Sequence, residues 1–300
     1  MPILVAGSMA LDTITTPSGS REEILGGAAS FFSVAASLFD HVRLVAVIGS
    51  DFRDRDLEVF RRRNIDMGGL ERRDDGETFR WTGRYEGRME TAQTLETRLN
   101  VLAQFRPTLP AHFRESNLCF LANTDPVTQE HVCKQLENPR FVLLDTMNFW
   151  IGSHRDNLLA AMRAAKNVIL NDDEARALGG SSNLVTATER IVAEGVETVV
   201  IKRGEHGALL YRNGKAFAVP ALPLKEVVDP TGAGDSFAGG FMGALAASND
   251  LSFHGMRRAL LYATVMASFT VQGFGLERLQ TVTRSEVDAR LGELLEHMTP

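Results

Sequence analysis

Residues 226–245 read EVVDPTGAGDSFAGGFMGAL and place one carboxylate, Asp235, in a glycine-rich turn. The β-branched run before Asp229-Pro230 stops there, and the small apolar residues after Asp235 predict a packed helix. Backbone N–H groups at a helix start lack intrahelical partners, so this turn attracts phosphate or a developing oxyanion. A carboxylate there repels phosphate, but it can take a proton from an attacking hydroxyl, as phosphoryl transfer requires.

A simpler interpretation of this turn is structural. An acid in the first turn complements the helix dipole, and glycines permit close helix packing. A serine hydrolase could be argued from Gly234-Asp235-Ser236, but none of the seven histidines lies in a motif that would supply its base. The chain also lacks the G-x-G-x-x-G of a nicotinamide-binding Rossmann enzyme and the G-x-x-x-x-G-K-[ST] of a P-loop NTPase.

The composition is that of an ordinary globular protein, with 300 residues, 44% of them hydrophobic and 23% charged. The net charge of −6 and the absence of a long basic run argue against nucleic acid or a membrane as a partner. Two cysteines, Cys119 and Cys133, cannot form a disulfide framework, and the N-terminus has no basic stretch typical of a signal peptide. We therefore expect a reduced, cytoplasmic protein.

Short runs that are apolar on both faces recur along the chain, which is typical of strands in a parallel sheet covered on both sides. These runs lie at 3–6, 44–48, 118–122, 141–144, 168–170 and 199–201. Helical patterns lie at 27–38, 53–63, 127–137, 154–165, 184–194, 233–247, 253–271 and 284–297. This alternation predicts a layered α/β fold, and without a linker or repeat we expect a single domain over residues 1–300.

Residues 78–86, TFRWTGRYE, break this rhythm because they alternate with a period of two. Phe79, Trp81 and Tyr85 then point to one side of a strand. Gly87 could turn the chain, which predicts an antiparallel β-hairpin at about 78–97. Two interpretations stay open, a small lid inserted in the domain and an edge hairpin whose aromatic face completes the core.

Polar residues or glycines follow each predicted strand. The segments concerned begin at Gly7, Gly49, Asn123, Asp145, Asn171 and Lys202. The carboxyl ends of parallel strands meet at one edge of a sheet, where ligands bind in open α/β folds. Each of these residues taken alone also suits a helix N-cap.

The string D-P-T-G-A-G-D-S-F-x-G-G-F at 229–241 resembles the C-terminal signature of the PfkB, or ribokinase-like, carbohydrate kinase family. The N-terminal half is also similar to that family, at Gly7-Ser8, Asp12 and Gly26-Gly27-Ala28-Ala29. Asn171-Asp172-Asp173-Glu174 matches the family's N-x-x-E motif, and 202–208 (KRGEHGA) is similar to its nucleotide-side glycine loop. The likeness covers residues 3 to about 275. It implies a ribokinase-like three-layer α/β/α domain with a mainly parallel central sheet and a small β lid.

The resemblance also implies an activity, namely transfer of the γ-phosphate of ATP to a hydroxyl group with Mg²⁺ present and a monovalent cation such as K⁺ as a further cofactor. The implied catalytic residues are Asp235 as general base and the backbone N–H groups of Gly232, Ala233 and Gly234. The implied ATP-side residues are Asn171, Glu174, Lys202, Gly204, Gly207 and Thr231, with Glu174 organising Mg²⁺ through water. The implied acceptor-side residues are Asp12, Gly26, Gly27, Ser30, Asn123 and Asp229. The hairpin at 78–97 would be the family's lid, which in many members also forms a homodimer contact.

The phosphate acceptor stays open at this point. Ser30 stands where the family usually has Asn, and Phe31-Phe32 follow it, either in the acceptor pocket or in helix packing. A hexose, a pentose, a nucleoside and a sugar phosphate are all alternatives. Trp81 and Tyr85 would suit stacking on a nucleoside base, whereas Arg80, Arg84 and Arg88 would suit an acceptor phosphate. A more remote alternative is a non-catalytic sensor of sugars or nucleotides.

Overall fold

A computed structural model describes residues 1–299 and shows helices on both faces of a central sheet. The strands are β1 Ile3–Ala6, β2 Ala10–Thr16, β3 Gly19–Gly26, β4 Val42–Gly49, β5 Asp66–Arg73, β6 Phe79–Arg84, β7 Gln93–Arg98, β8 Leu118–Leu121, β9 Phe141–Asp145, β10 Lys166–Asn171, β11 Thr198–Lys202, β12 Ala208–Arg212 and β13 Lys215–Val219. The helices are α1 Ala28–Ala36, α2 Asp54–Arg62, α3 Ala111–Arg114, α4 Pro126–Cys133, α5 Asn148–Ser153, α6 Arg155–Ala165, α7 Asp172–Gly179, α8 Leu184–Ala193, α9 Ala233–Ser248, α10 Phe253–Thr270 and α11 Arg284–Met298.

The central sheet has the strand order β13-β12-β11-β10-β9-β8-β1-β4-β5. Its strands pair in parallel from β11 to β5, and β12 and β13 close one edge as antiparallel strands. Successive residues of β1 point to opposite faces of the sheet: Ile3 packs in the hydrophobic core on one face, and Leu4 packs in the core on the other. Burial on both faces explains why these strands read as unbroken apolar runs.

Close packing between helices fixes one layer of the fold. Helix α9 packs against both α1 and α10. A Cβ at Gly239 would lie 2.7 Å from the Ala35 Cβ, and one at Gly240 would lie 2.7 Å from Met266 Cγ. The two glycines thus let three helices approach closely, and this packing holds the start of α9 at the carboxyl edge of the sheet.

A second sheet lies beside the first, with strand order β3-β2-β6-β7. Strands β6 and β7 form the predicted antiparallel hairpin, and Gly87 between them has φ +55°. Strand β2 pairs in parallel with β6 and antiparallel with β3. The sequence analysis missed β2 and β3. Strand β2 is mostly buried but mixes polar and apolar residues, and β3 is largely exposed, so neither carries a clear apolar run.

The α/β fold class and the mostly parallel sheet are confirmed. All six predicted core strands and all eight predicted helices are present, with ends within about four residues of the expected positions. Short elements such as α5 and α7 were not predicted. Within residues 1–299, no helix combines the length and the apolar character needed to cross a bilayer.

Candidate active site

Asp229 holds the glycine turn in shape. Its Oδ1 accepts a hydrogen bond from the N–H of Thr231 at 2.9 Å, and its Oδ2 accepts one from the N–H of Gly275 at 2.9 Å. The side chain is fully buried, and burial raises the pKa of Asp229 despite these two bonds. Both oxygens therefore serve the backbone, and the turn is tied to the loop that follows α10.

Gly232 must be glycine for two reasons. Its φ of +75° is a left-handed conformation, and a Cβ there would overlap the ring of Phe31 in α1. Phe31 is 1% exposed and Phe32 is fully buried, with its ring stacked 4.3 Å from that of Phe120. Both phenylalanines belong to helix packing, so the core directly shapes the turn.

The turn leaves backbone donors free at the start of α9. Among the described residues, the N–H groups of Gly232 and Gly234 donate to no acceptor, whereas the N–H of Ala233 donates to the carbonyl of Pro230 at 3.2 Å. The positive end of the 16-residue helix lies behind these groups. Two of the three predicted N–H groups are thus available to an anion, and the third is used within the turn.

Asp235 lies in the first turn of α9 and is partly exposed. Burial of its carboxyl group, together with the nearby Asp145, raises the pKa of Asp235 to about 7, although Lys202 acts in the opposite direction. The site therefore contains a carboxylate that exchanges its proton near neutral pH. This is the range in which a general base works best.

Lys202, at the end of β11, forms a largely buried ion pair with Asp145, at the end of β9. Its Nζ lies 3.3 Å from Oδ1 and 3.2 Å from Oδ2 of Asp145. Burial alone would lower the pKa of Lys202, but Asp145, Glu174 and Asp235 together raise it. A Cβ at Gly234 would lie 3.0 Å from this Nζ, so an ammonium group sits against the glycine turn.

Asn171 and Glu174 form a capping box at the start of α7. The N–H of Glu174 donates to Oδ1 of Asn171 at 2.8 Å, and the N–H of Asn171 donates to Oε2 of Glu174 at 2.7 Å. Burial raises the pKa of Glu174 to about 7, with Lys202 opposing and Asp145 adding to the shift. The N-x-x-E pair therefore has a structural role at the edge of the Lys202 cluster.

Asp12 of β2 lies near enough to Asp229 and Asp235 for their charges to act on its carboxyl group. It is 4% exposed, and burial raises the pKa of Asp12 to about 8, with Asp229 and Asp235 adding to the shift. A Cβ at Gly26 would overlap the Asp12 carboxyl group, and Gly27 precedes α1 with φ +90°. Ser30 is fully buried in α1, and its Oγ has no hydrogen-bond partner within residues 1–299.

The second sheet contacts the glycine turn through two hydrogen bonds. Oγ1 of Thr16 donates to the carbonyl of Val228 at 2.9 Å, and Oγ1 of Thr231 lies 3.3 Å from the hydroxyl oxygen of Tyr85. Burial raises the pKa of Tyr85 to about 12, with a further rise from the nearby carboxylates, so its phenol stays protonated. The second sheet is therefore bonded to both sides of Asp229-Pro230.

The other predicted residues lie further along the sheet edge. Oδ1 of Asn123, after β8, accepts a hydrogen bond from Nε1 of Trp150 at 3.1 Å. Gly204 and Gly207 shape the turn between β11 and β12, where the N–H of Gly207 donates to the carbonyl of Gly204 at 3.2 Å. Neither glycine has a hydrogen bond to the glycine turn among the described residues.

A cavity of about 320 Å³ lies away from this cluster, between α6, α7 and α8. Arg155 donates to the carbonyl of Leu178 at 2.7 Å, and Arg190 donates to the carbonyls of Gly179 and Gly180 at 3.1 and 2.6 Å. These arginines satisfy carbonyl groups at the C-terminus of α7, so we assign the cavity a structural role.

The sequence analysis gave neither Asp145 nor the hydroxyl of Tyr85 a role in the site. It placed Asp145 only among the polar residues at the strand ends, which converge at one edge of a parallel sheet. The contact of Tyr85 with Thr231 joins residues 146 positions apart, and no local pattern indicates it.

The arrangement combines free N–H donors, an ammonium group and a carboxylate of raised pKa at the carboxyl edge of a parallel sheet, which suits transfer of an anionic group to a hydroxyl. A family model for pfkB family carbohydrate kinases matches residues 5–281. A curated cytidine kinase from Thermococcus kodakarensis is 30% identical over 248 residues, which are 81% of this chain and 87% of that protein.

Solved structures agree on the fold. The nucleoside kinase of Methanocaldococcus jannaschii, a ribokinase-family member, has a TM-score of 0.78 at 21% identity and covers 97% of this chain and 98% of its own. The fructokinase of Vibrio cholerae O395, bound to fructose, ADP and calcium, has a TM-score of 0.78 at 18% identity and covers the same shares, 97% and 98%. The fold and site thus define a ribokinase-like phosphotransferase with a hydroxyl acceptor. The chain belongs to the pfkB family of carbohydrate kinases.

Proposed function

We propose that this protein transfers the γ-phosphate of ATP to a hydroxyl group of a sugar or sugar-like molecule, with Asp235 as the general base. The observation that carries the proposal is the position of Asp235 two residues after Ala233, in a turn whose Gly232 and Gly234 N–H groups are free within the described chain. The anion and the attacking hydroxyl would then meet at one place. The raised pKa of Asp235, about 7, suits proton transfer at neutral pH.

The ATP side of the proposed site is the glycine turn together with the strand ends beside it. The N–H groups of Gly232 and Gly234 and the ammonium of Lys202 would balance the charge of the transferring phosphoryl group. Thr231 orients the turn through its bond to Asp229. We place the nucleotide between this turn and the Gly204–Gly207 loop, which follows the strand that carries Lys202.

A magnesium ion fits this site through water. Within residues 1–299, no three His, Cys, Asp or Glu side chains are placed to bind a metal together. Mg²⁺ keeps several waters and needs only one or two carboxylates, and Glu174 offers Oε1, which has no hydrogen bond among the described residues. When bound, the ion would supply positive charge to the phosphates of ATP. K⁺ is a further proposed cofactor, tested by comparing turnover in potassium and tetramethylammonium salts.

The acceptor lies, in this proposal, between Asp12, Asp235 and the second sheet. Gly26 leaves room for the Asp12 carboxyl group, Gly27 leaves room for the backbone at 8–10, and Asp229 contributes by fixing the turn. The name of the cytidine kinase relative favours a nucleoside as the acceptor, whereas the fructokinase neighbour was solved with fructose. A sensor without catalysis is a weaker alternative, because a carboxylate beside a phosphate site weakens binding.

The proposal is tested by following ADP release from Mg-ATP with a panel of hexoses, pentoses and nucleosides. We expect ADP release that depends on one class of acceptor, together with a phosphorylated product in equal amount. A protein that binds ATP and acceptor, stabilises on binding and yet releases no ADP with any panel member would be the sensor instead.

Assembly and location are separate proposals. Strand β7 is an exposed edge of the second sheet, and we propose it as the surface of a homodimer. Sedimentation equilibrium of the wild type and of Leu95→Lys tests this, because Leu95 is 47% exposed in that strand. A cytoplasmic location is consistent with Cys119 and Cys133, which are both free thiols.

A further inference from the structure

A row of side chains crosses the inner face of the second sheet. Ile24 of β3 pairs with Asp12 of β2, and Asp12 pairs with Trp81 of β6. Residues directly paired across strands point to the same side of a sheet. Trp81 is therefore the immediate neighbour of Asp12, on the face that packs against Val228 and Phe274 beside the glycine turn.

The indole of Trp81 is held in a fixed orientation. Nε1 donates to Oγ1 of Thr94 on β7 at 3.2 Å. A Cβ at Gly83, two residues along β6, would overlap the indole, so the ring covers the backbone of this glycine. Trp81 is nevertheless only partly buried. The sheet thus presents a pre-positioned aromatic surface, and little side-chain entropy is lost when a ligand stacks on it.

Tyr85, the other aromatic candidate of the hairpin, is not available in the same way. It is 9% exposed, packs with Ile14 and Phe274, and its hydroxyl contacts Thr231. Between the two rings suggested for stacking, the structure therefore selects Trp81.

The arginines of the hairpin are paired with acids. Arg80 contacts Glu23 and lies 2.8 Å from Oδ2 of Asp51, Arg84 lies 3.8 Å from Glu86, and Arg88 lies 3.1 Å from Glu90. Asp12 and Asp235 add carboxyl groups on the acceptor side. Because each of these arginines already has an acidic partner, the hairpin offers an acceptor phosphate no unpaired positive charge, which favours an uncharged molecule.

We propose that Trp81 determines acceptor specificity: the planar base of a nucleoside stacks on its indole while the neighbouring Asp12 hydrogen-bonds the hydroxyl groups of the attached sugar. The inference rests on the proposed kinase function and narrows its acceptor to a nucleoside. A furanose without a base would occupy the Asp12 side and leave the indole uncovered.

The direct test is a matched pair of acceptors, cytidine and methyl β-ribofuranoside, which share the sugar and differ in the base. We expect kcat/KM to be at least about 10-fold higher for cytidine, the usual worth of stacking a base on an aromatic side chain. Trp81→Leu should remove most of that preference, and Trp81→Phe should keep part of it. Equal kcat/KM for the two acceptors in the wild type, or an unchanged preference in Trp81→Leu, overturns the proposal.

A binding measurement covers the case in which Trp81→Leu does not fold. Cytidine should quench the tryptophan fluorescence of the wild type, methyl β-ribofuranoside should not, and the quenched component should be absent from Trp81→Phe. Quenching that persists unchanged in Trp81→Phe contradicts the proposal. If no acceptor in the panel is phosphorylated, the kinase proposal fails, whereas the fluorescence experiment still decides whether Trp81 contacts a base.

Discussion

The ammonium of Lys202 lies 3.2 Å from Oδ2 of Asp145, and this buried pair stands beside Asp235. The two partners act on Asp235 in opposite directions, since Asp145 raises its pKa and Lys202 lowers it. Burial is the largest cause of the raised pKa of Asp235, and the ion pair adds these two smaller, opposing effects, so a change to either partner should shift the pH at which the proposed base becomes available. The ion pair also places a positive charge next to Gly234 without leaving that charge unpaired in the interior.

The pH dependence of kcat follows from this relationship. A general base works when deprotonated, so with a pKa of about 7 we expect kcat to rise with pH below neutrality and to level off above about pH 8. Asp145→Asn removes a group that raises the pKa of Asp235 and should move the rising limb to lower pH. Lys202→Met removes the group that lowers it and should move the limb to higher pH. Measured kcat–pH profiles of the two variants check the direction of each shift. Shifts in the same direction would contradict the opposing effects of Asp145 and Lys202 on the pKa of Asp235.

Asp235→Asn should leave ATP binding intact and lower kcat by roughly 10²–10⁴-fold, the usual contribution of a positioned base. The amide keeps the shape of the side chain but cannot accept the proton. Asp156→Asn, at an exposed position in the first turn of α6, is the matched control and should keep full turnover. Steady-state kinetics with the best acceptor and ATP titration by calorimetry separate the two effects. Normal turnover in Asp235→Asn would disprove the base assignment.

Tyr85→Phe should loosen the contact between the second sheet and the glycine turn. It removes the bond to Thr231 and keeps the ring, so we expect a loss of about 1 kcal/mol in the free energy of unfolding. The acceptor KM should rise several-fold, on the order expected for one lost hydrogen bond.

A double-mutant cycle with Thr231→Val tests whether the two hydroxyls act together. The double variant should be no worse than either single variant, because both remove the same bond. Tyr262→Phe is the control, since its hydroxyl bonds Asp288 and Arg284 of α11 rather than a residue of the turn. Additive losses in urea unfolding would show that Tyr85 and Thr231 are not coupled.

Variants of Asn171 and Glu174 should differ in their effects: one should lower stability, and the other should raise the Mg²⁺ requirement. Asn171→Ala removes the N-cap of α7 and should cost about 1 kcal/mol of unfolding free energy. Glu174→Gln preserves the capping box, since Gln also serves at that position, but it removes the charge. We therefore expect near-normal stability and a raised Mg²⁺ requirement in Glu174→Gln. An unchanged metal titration of activity would count against a role of Glu174 at the ion.

The sequence was sufficient to predict six of the nine strands of the central sheet, because strands buried on both faces carry a clear apolar run. The strands at the two edges, β5, β12 and β13, were not predicted, because they are only partly buried and lack such a run. The sequence was also sufficient to predict the start of α9, where glycine and acid side chains have strong local preferences. The second sheet was only half predicted. The pairing of β2 with β6 joins residues far apart in the chain, and partly exposed strands such as β3 lack a clear period.

In the candidate site, too, residues in local motifs were predicted, whereas contacts between distant parts of the chain were not. Asp235, Lys202 and Glu174 were named from local motifs, and the structure brings their charges together around one ammonium group. Asp145 was named only as one of the polar residues that follow the strands, without a role in the site, since its importance depends on which strand lies next to β10 in the sheet. The hydrogen bonds of Asp229 were also beyond prediction, because they depend on the position of a loop after α10.

The bond from Asp229 to Gly275 spans 46 positions of the chain, and it has a consequence for biosynthesis. The turn at residues 229–234 reaches its final shape only when the end of α10 and the loop beyond it have left the ribosome and folded back. Nascent chains and truncated products that stop before Gly275 would therefore contain every residue of the motif without the bond that ties its turn to the loop after α10. Catalytic competence would appear late in synthesis, after the fold is nearly complete.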